Sequence, residues 1–368
     1  MTALSRTRFH PLRVTAISRE TPDAVAITLQ PPPHAEDAFR FTPGQYLTFR
    51  RVVDGVEGRR SYSICAAPGE PLRVGVKRVP GGAFSTWAVD ELRPGDVVEA
   101  MPPDGRFGLS PDPTAPPRTV LGVAAGSGIT PVLSILAGVL AHEPNSRAVL
   151  LYGNRSAADI MFRGALEDLK DRHLARLSVV HVLSREKHEL AALHGRLDAD
   201  RIRALLPGLA RSEDIAAAFL CGPSGLPEAA TDALRALGVP DDRIHTEHFT
   251  PSSPARAFPP PLAREGQGGG LTQAAPTATA TITLDGVTRD VPLTSGETVL
   301  EAGLRAGLDL PWSCKGGMCC TCRARVTDGA VEMATNYSLQ PWEIDGGYVL
   351  TCQSRPTTPR VALDYDAA

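Results

Sequence analysis

Four cysteines in the C-terminal part of the chain restrict its fold and chemistry more than any other feature. They are Cys314, Cys319, Cys322 and Cys352. Their C-x4-C-x2-C…C spacing is that of plant-type 2Fe–2S clusters, whose irons are bound by four thiolates. The spacing makes Cys319 a ligand and leaves Cys320 outside the cluster, since exchanging them would change both intervals. Gly316 and Gly317 allow the backbone angles with which a loop turns N–H groups towards sulfur.

The alternatives to a cluster are a zinc site or buried free thiols. Structural zinc prefers paired C-x2-C units, and this segment contains only one such pair. The other two cysteines, Cys65 and Cys221, are isolated in the chain. A disulfide framework would spread through a small secreted domain, whereas local clustering in a cytoplasmic chain indicates metal binding.

Length and composition exclude several classes of protein. A chain of 368 residues is long enough for two or three domains, and 42% hydrophobic residues can form substantial cores. The net charge of −3 argues against a nucleic-acid-binding protein, which would carry a basic surface. No apolar run approaches the roughly eighteen residues of a membrane helix. Because Met1–His10 lacks the apolar core of a secretory signal, we expect a cytoplasmic protein without a membrane partner.

Changes in periodicity divide the chain into four parts. Residues 1–112 contain short β-segments, which predict a small antiparallel barrel. Residues 113–250 alternate strands and helices, including a helix near 157–170, and predict an open parallel sheet. Residues 251–277 have the Pro- and Gly-rich composition of a linker. Residues 278–368 begin with a strand and a hairpin turn, and contain the cysteine cluster.

Two short motifs in the first part suit a flavin. Arg60, Tyr62 and Ser63 follow a predicted strand, where an arginine can bind phosphate, an aromatic ring can flank a flavin and a serine can hydrogen-bond its edge. Gly82 and Ser85, shortly after Lys77, begin a predicted helix whose N–H groups can bind a pyrophosphate. Taken alone, the first motif is more typical of an ordinary strand, and the alternative for the second motif is a hairpin turn.

Two motifs in the second part suit a pyridine nucleotide. Gly126, Gly128 and Thr130 lie between an apolar strand and a helix, where a parallel sheet binds phosphates. Cys221, Gly222 and Pro223 end another strand at the same edge. The alternatives are helix capping by the neighbouring proline and a cysteine that is only a small core residue.

The residues after the second strand of this sheet predict the nucleotide preference. Arg155 and Ser156 could contact a 2′-phosphate, and no acidic residue suited to a free ribose diol follows the strand directly. The sequence therefore favours NADPH, with NADH as the alternative if Arg155 is only a solvated surface residue.

The order of these motifs resembles that of the ferredoxin–NADP reductase superfamily. With a plant-type ferredoxin behind them, the chain resembles the reductases of multicomponent oxygenases over all but the linker. The resemblance implies a multidomain fold: an antiparallel β-barrel flavin domain, an α/β parallel-sheet nucleotide domain and a C-terminal β-grasp plant-type ferredoxin domain.

The resemblance also implies roles for individual residues. Catalytic roles fall to Ser63, Cys221 and Glu247, with Ser63 near the flavin N5 and Cys221 beside the nicotinamide. The pyrophosphate contacts imply FAD rather than FMN, and Phe249 would approach the flavin. The implied cofactor-binding residues are Arg60, Tyr62, Ser63, Lys77, Gly82, Ser85, Gly126, Gly128, Thr130, Arg155, Gly222, Pro223 and Phe249. The implied cluster ligands are Cys314, Cys319, Cys322 and Cys352.

The implied function is electron transfer from NADPH through FAD and a 2Fe–2S cluster to a separate oxygenase. Nicotinamide gives up two electrons as a hydride, whereas the cluster accepts one, so a flavin is needed between them. The chain lacks the Glu-x-x-His pairs of a di-iron oxygenase, which assigns oxygen chemistry to a partner. The stretches 314–322, 331–337 and 347–353 are most similar to reductases that serve a di-iron oxygenase of an aromatic CoA thioester.

Two alternatives to that function remain. One is a reductase for a Rieske-type steroid or aromatic-ring hydroxylase, which would share every motif above. The other is a non-catalytic ferredoxin-like carrier whose nucleotide loops no longer function. For either kind of reductase we expect a monomer that docks transiently on its oxygenase and binds no nucleic acid.

Overall fold

A computed structural model of the chain describes residues 8–53, 55–249 and 277–367. Residues 9–51 and 60–249 belong to one compact unit, and residues 277–367 belong to a second. The predicted linker 251–277 lies outside the described residues apart from Thr277. No helix in the described ranges is long and apolar enough to cross a membrane.

The first part of the chain forms a six-stranded antiparallel sheet that closes on itself. Alternation of buried and exposed residues along its first strand places Leu12 and Val14 inside. A bridge between Ile64 and Val74 joins the two outer strands of the order β4-β3-β6-β1-β2-β5. A short helix, α1 (Ala83–Asp90), follows the fifth strand. The strands are β1 (His10–Thr21), β2 (Ala24–Gln30), β3 (Tyr46–Val53), β4 (Val56–Ser63), β5 (Arg73–Lys77) and β6 (Val97–Ala100).

The second part forms a five-stranded parallel sheet. Its central strand is buried on both faces, as its continuous apolar sequence requires. The strand order is β11-β10-β7-β8-β9, so the carboxyl ends of β7 and β10 are neighbours. The elements are β7 (Thr119–Ala125), α2 (Ile129–His142), β8 (Arg147–Asn154), α3 (Arg163–Arg172), β9 (Leu177–Leu183), α4 (Ala199–Leu205), β10 (Ile215–Gly222), α5 (Leu226–Ala236) and β11 (Ile244–His248).

The helix predicted near 157–170 begins later than its sequence suggests. Only a 3-10 turn, Ala157–Asp159, forms first, and α3 starts at Arg163. Phe162 is buried and has a φ of 58°, which a continuous right-handed helix cannot contain. The prediction of the helix start was wrong because burial of this turn overrides local helix propensity.

The barrel and the parallel sheet share one apolar core. Ala24 and Ala26 of β2 lie in the same buried cluster as Ile129 and Val132 of α2. The Ser134 hydroxyl, which is fully buried, donates a 2.6 Å hydrogen bond to the Ala66 carbonyl of the barrel. Continuous packing of this kind holds the two parts as one unit.

The C-terminal unit is built on a mixed five-stranded sheet of order β13-β12-β18-β14-β16. The outer hairpin turns at Asp285 and Gly286, both with positive φ, as a two-residue hairpin requires. Thr298 and Glu301 form a capping box at the start of α6. The elements are β12 (Ala278–Leu284), β13 (Val287–Leu293), α6 (Val299–Arg305), β14 (Arg323–Asp328), β15 (Val331–Met333), α7 (Pro341–Asp345), β16 (Tyr348–Leu350), β17 (Ser354–Pro356) and β18 (Arg360–Asp364).

The hydrogen bond between the barrel and the parallel sheet gives a stability prediction. Ser134→Ala leaves the Ala66 carbonyl without its buried donor and should lower the free energy of unfolding by about 1–3 kcal/mol. Thr15→Val is the matched control, because Thr15 donates to the Thr28 carbonyl at an exposed position and should cost less than about 0.5 kcal/mol. Urea unfolding of the full chain, followed by circular dichroism, measures both. Equal decreases in the free energy of unfolding for the two variants would show that the buried hydrogen bond stabilises the fold no more than the exposed one.

Candidate functional site

The four cysteines predicted to bind a cluster come together in the C-terminal unit. Cys314, Cys319 and Cys322 lie in the loop between α6 and β14, and Cys352 follows β16. The thiols interact as two pairs, Cys314 with Cys319 and Cys322 with Cys352. The pKa of Cys322 is raised well above its usual value, first by its hydrogen bond to Cys352 and then by burial and by the charges of the other thiols. Cys322 therefore interacts electrostatically with each of the other three cysteines.

The loop directs backbone donors at sulfur. The N–H groups of Gly316 and Met318 donate to the Cys314 sulfur at 3.3 and 3.4 Å. The hydrogen bond from Cys319, helped by these N–H groups and opposed by burial, lowers the pKa of Cys314 to about 6. Four neighbouring thiols, with backbone N–H groups directed at the sulfur of Cys314, match the donor set of a 2Fe–2S cluster.

Cys320 faces away from this set. Its thiol donates to the Ser338 hydroxyl at 3.0 Å, and that hydroxyl donates to the Gly317 carbonyl. The Asn336 side chain holds the same segment by accepting the N–H of Ser338 and of Leu339. Cysteine spacing does not predict this support, because Ser338 is distant in sequence from the loop that it contacts.

The predicted flavin residues Arg60, Tyr62 and Ser63 lie within β4 rather than after it. The Tyr62 ring packs 5.3 Å from Phe84 and 6.0 Å from Phe49, centroid to centroid, and its burial raises the pKa of its hydroxyl. Arg60 is half-buried and Ser63 is buried. An arginine, an aromatic ring and a hydroxyl thus follow one another along one strand, as a flavin phosphate and ring require.

Gly82 and Ser85 lie at the start of α1. Gly82 is the N-cap, and the Ser85 hydroxyl accepts the N–H of Val79 and donates to the Gly82 carbonyl. The Ser85 hydroxyl therefore stabilises the turn. The groups in this segment that can bind a pyrophosphate are the backbone N–H groups of the first turn of α1.

Ser63, Cys221 and Glu247 meet where the barrel contacts the parallel sheet. Glu247 of β11 pairs in register with Cys221 of β10, and its carboxyl group is hydrogen-bonded to Ser63 of β4. Burial raises the pKa of Glu247 to about 8, although the hydrogen bond from Ser63 opposes the shift. Burial and the neighbouring Glu247 raise the pKa of Cys221 well above its usual value. Burial thus favours the neutral form of both groups.

The loop after β7 lies against the end of β10. A side chain at Gly128 would overlap the Cys221 carbonyl and the Gly222 nitrogen, so only glycine permits this approach. Gly126 has a φ of 54°, and the Lys77 ammonium nitrogen lies 3.9 Å from the position that a Cβ on Gly126 would take. Burial lowers the pKa of Lys77, while the charge of Asp159 opposes this. An ammonium group beside the N-terminus of α2 suits a bound phosphate.

The other predicted nucleotide residues surround this edge. Thr130 is buried and donates to the Ser127 carbonyl, Arg155 is exposed, and Pro223 is exposed after β10. The Ser156 hydroxyl, expected to face a 2′-phosphate, instead donates to Asp159 at 2.6 Å. Phe249 follows β11 and is 37% exposed.

Three protein-family models match the chain in the order of these sites. An oxidoreductase FAD-binding domain matches residues 11–108, an oxidoreductase NAD-binding domain matches 123–232 and a 2Fe-2S iron-sulfur cluster binding domain matches 282–357. Fold and sites together define an NAD(P)H-dependent flavin and iron–sulfur oxidoreductase.

Among characterised relatives, one of the subunits of the 1,2-phenylacetyl-CoA epoxidase of Escherichia coli is 43% identical over 98% of this chain and 99% of its own length. The ferredoxin reductase component of 3-ketosteroid-9-alpha-monooxygenase from Mycolicibacterium smegmatis is 36% identical over 96% of both chains. The chain belongs to this family of oxygenase reductase components. Membership favours the reductase over the ferredoxin-like carrier.

Solved structures share the fold. Phthalate dioxygenase reductase is 23% identical, with a TM-score of 0.58 over 97% of this chain and 98% of its own. An intact type IV self-sufficient cytochrome P450 monooxygenase is 24% identical, with a TM-score of 0.67 over 97% of this chain and 41% of its own. The predicted three-part fold class is confirmed.

The two adjacent cysteines give a prediction about the cluster. Cys319→Ser should lose most of the iron, because a ligand thiolate is removed from the set of four. Cys320→Ser should keep the iron, because its sulfur hydrogen-bonds Ser338 and a serine hydroxyl can do the same. Iron content per chain and the visible absorption of the purified proteins measure this. Iron loss in both variants, or in Cys320→Ser alone, would contradict the assignment.

Burial of Glu247 predicts a pH dependence of stability. Its pKa of about 8 in the folded chain exceeds the ordinary value of 4.5, so the folded state holds a proton that the unfolded state releases between these values. Its contribution to stability should therefore fall as pH rises from about 4.5 to 8. Glu247→Gln should remove this part of the pH dependence. The free energy of unfolding of the variant, relative to that of the parent protein, should therefore be higher at pH 8 than at pH 5. Urea unfolding of both proteins at both pH values tests this prediction. An equal change in unfolding free energy between pH 5 and pH 8 for parent and variant would exclude the effect.

Proposed function

We propose that this chain transfers electrons from NADPH through FAD and a 2Fe–2S cluster to the oxygenase component of a 1,2-phenylacetyl-CoA epoxidase. The main observation behind this proposal is that Ser63, Cys221 and Glu247 lie together beside the Gly126–Gly128 loop. The same chain also brings together four cysteines with the spacing of a 2Fe–2S site. The partner and substrate rest on the E. coli relative.

When bound, the nucleotide supplies a hydride, the flavin converts it to single electrons, and the cluster carries them one at a time. The protein contributes position and electrostatics. Arg60 and the N-terminus of α1 hold the flavin phosphates, and Tyr62 flanks the ring. Lys77 and the N-terminus of α2 hold the phosphates of the nucleotide.

Ser63, Cys221 and Glu247 line the place where nicotinamide and flavin meet. Because burial favours the neutral form of both acidic groups, it reduces the negative charge that would oppose the approach of a hydride. The hydrogen bond between Glu247 and Ser63 holds the serine hydroxyl in a fixed position for the flavin edge. Burial of these side chains excludes water from the transfer.

Arg155 supports NADPH as the preferred nucleotide. Its side chain is exposed at the end of β8, and the charge of Arg155 acts on Lys77, which places both cations at one edge of the sheet. A doubly charged 2′-phosphate suits such a cationic edge. Because the Ser156 hydroxyl is hydrogen-bonded to Asp159, the proposed preference for NADPH rests on Arg155 and not on the serine.

The remaining parts of the proposal are the setting and the assembly. We propose that the chain works in the cytoplasm, since its clustered free thiols suit a reducing compartment. We also propose a monomer that docks transiently, since an electron carrier must release its oxygenase after each transfer.

Product formation with purified oxygenases tests the partner. The full chain, NADPH and a phenylacetyl-CoA epoxidase oxygenase complex should give epoxide in proportion to NADPH consumed, and omission of the chain should abolish it. A 3-ketosteroid 9α-hydroxylase oxygenase is the comparison, because the second relative serves that reaction. Product only from the steroid oxygenase would overturn the proposed partner while keeping the reductase.

Replacement of Arg155 tests the nucleotide preference. Arg155→Gln should raise the KM for NADPH about tenfold and leave the KM for NADH nearly unchanged. Only NADPH has the 2′-phosphate that we propose the guanidinium contacts. Arg172→Gln, at an exposed position on α3, is the control. Initial rates of dye reduction with each nucleotide give the values. Equal changes for both nucleotides would assign Arg155 to something other than the 2′-phosphate.

A further inference from the structure

Tyr152 lies beneath the Gly126–Gly128 loop, the nucleotide loop, and is fully buried. Its hydroxyl donates a 2.9 Å hydrogen bond to the carbonyl of Gly126 and lies 3.4 Å from the carbonyl of Met161. A phenylalanine would fill the same space, so packing alone does not account for the hydroxyl. Buried tyrosine hydroxyls are kept where they have a specific polar partner.

The hydrogen bond to Gly126 has a direct effect on the loop. A trans peptide points its carbonyl and its N–H in opposite directions. Because the Gly126 carbonyl points inward to Tyr152, the N–H of Ser127 points the opposite way, towards the side where we propose that the nucleotide phosphate binds. Gly126 has positive φ, so this orientation of its peptide is not the one that an ordinary strand would continue. The Gly126 carbonyl also accepts the N–H of Ile129, so Tyr152 adds a second hydrogen bond that stabilises the outward-facing form of the loop.

The second acceptor connects Tyr152 to the barrel. Met161 precedes Phe162, whose N–H donates a 3.1 Å hydrogen bond to the Glu20 carboxylate of β1. The charge of Glu20 also acts on the Tyr152 hydroxyl. The nucleotide loop, the turn before α3 and the barrel thus meet around one hydroxyl group.

We propose that Tyr152 is a positioning residue that sets the Gly126–Gly128 loop relative to the barrel, so that the diphosphate of the pyridine nucleotide binds in register with the flavin. The inference rests on the proposed role of this loop in nucleotide binding. Tyr152 contacts no ligand itself and acts through Gly126.

Binding of NADP⁺ to the full chain, with flavin and cluster in place, tests the inference. Tyr152→Phe removes only the hydroxyl and should weaken NADP⁺ about fivefold, the usual effect of one neutral hydrogen bond. Flavin content, iron content and the signal of the cluster after dithionite reduction should match the parent protein. The dissociation constant is measured by the change in flavin absorption on titration, so the readout does not depend on turnover.

Two further variants separate the possible outcomes. Tyr348→Phe is the matched control, because Tyr348 also donates to a backbone carbonyl, that of Ala367, in the other unit; its NADP⁺ affinity should be that of the parent. Gly126→Ala tests the loop itself and should weaken NADP⁺, since alanine disfavours its positive φ.

If Gly126→Ala weakens NADP⁺ but Tyr152→Phe does not, the positioning role is overturned and Tyr152 is only a core residue. A lower melting temperature of Tyr152→Phe with unchanged affinity leads to the same conclusion. If Gly126→Ala also binds NADP⁺ normally, the proposed nucleotide site itself is wrong.

Discussion

The hydrogen bond between Ser63 and Glu247 is the contact on which the proposed hydride site of the first unit depends. It joins a strand of the barrel to the last strand of the parallel sheet at the point where Cys221 also lies. Two cofactors bound by different parts of the chain can exchange a hydride only if their reacting atoms are held close and aligned. This buried contact, the Ser134 hydrogen bond and the shared apolar core all join the two parts of the first unit.

Charge is arranged differently at the two ends of the electron path. Around Glu247 and Cys221, burial favours the neutral form of the acidic groups, which lowers the fixed charge at the proposed hydride site. Around Cys314, N–H groups and neighbouring thiols favour the thiolate. The first arrangement suits transfer of a hydride between two planar rings, and the second suits ligation of ferric iron. The two environments differ chiefly in the number of hydrogen-bond donors around the acidic group.

Much of this could be predicted from the sequence, for identifiable reasons. The cluster cysteines follow a spacing fixed by cluster geometry, and the alternation of strands and helices defines the parallel sheet. The start of α3 could not be predicted, because burial of Phe162 and its bond to Glu20 join residues far apart in the chain. The bond from Ser156 to Asp159 and the contact of Cys320 with Ser338 were missed because residue type gives only a set of potential partners. Tyr152 is similar: its apolar ring suggests core, and only the structure shows which carbonyl its hydroxyl meets.

Anaerobic mixing of the full chain with NADPH, followed by rapid freezing and electron paramagnetic resonance, tests the central claim most directly. The account predicts that the signal of a reduced 2Fe–2S cluster grows as the flavin absorption bleaches, without any oxygenase present. Glu247→Gln should keep the cluster, because its carboxyl group lies in the other unit, while slowing both changes together. Flavin bleaching by NADPH with a cluster that stays oxidised would contradict the account, since the electrons would then remain on the flavin and not pass to the four-cysteine site.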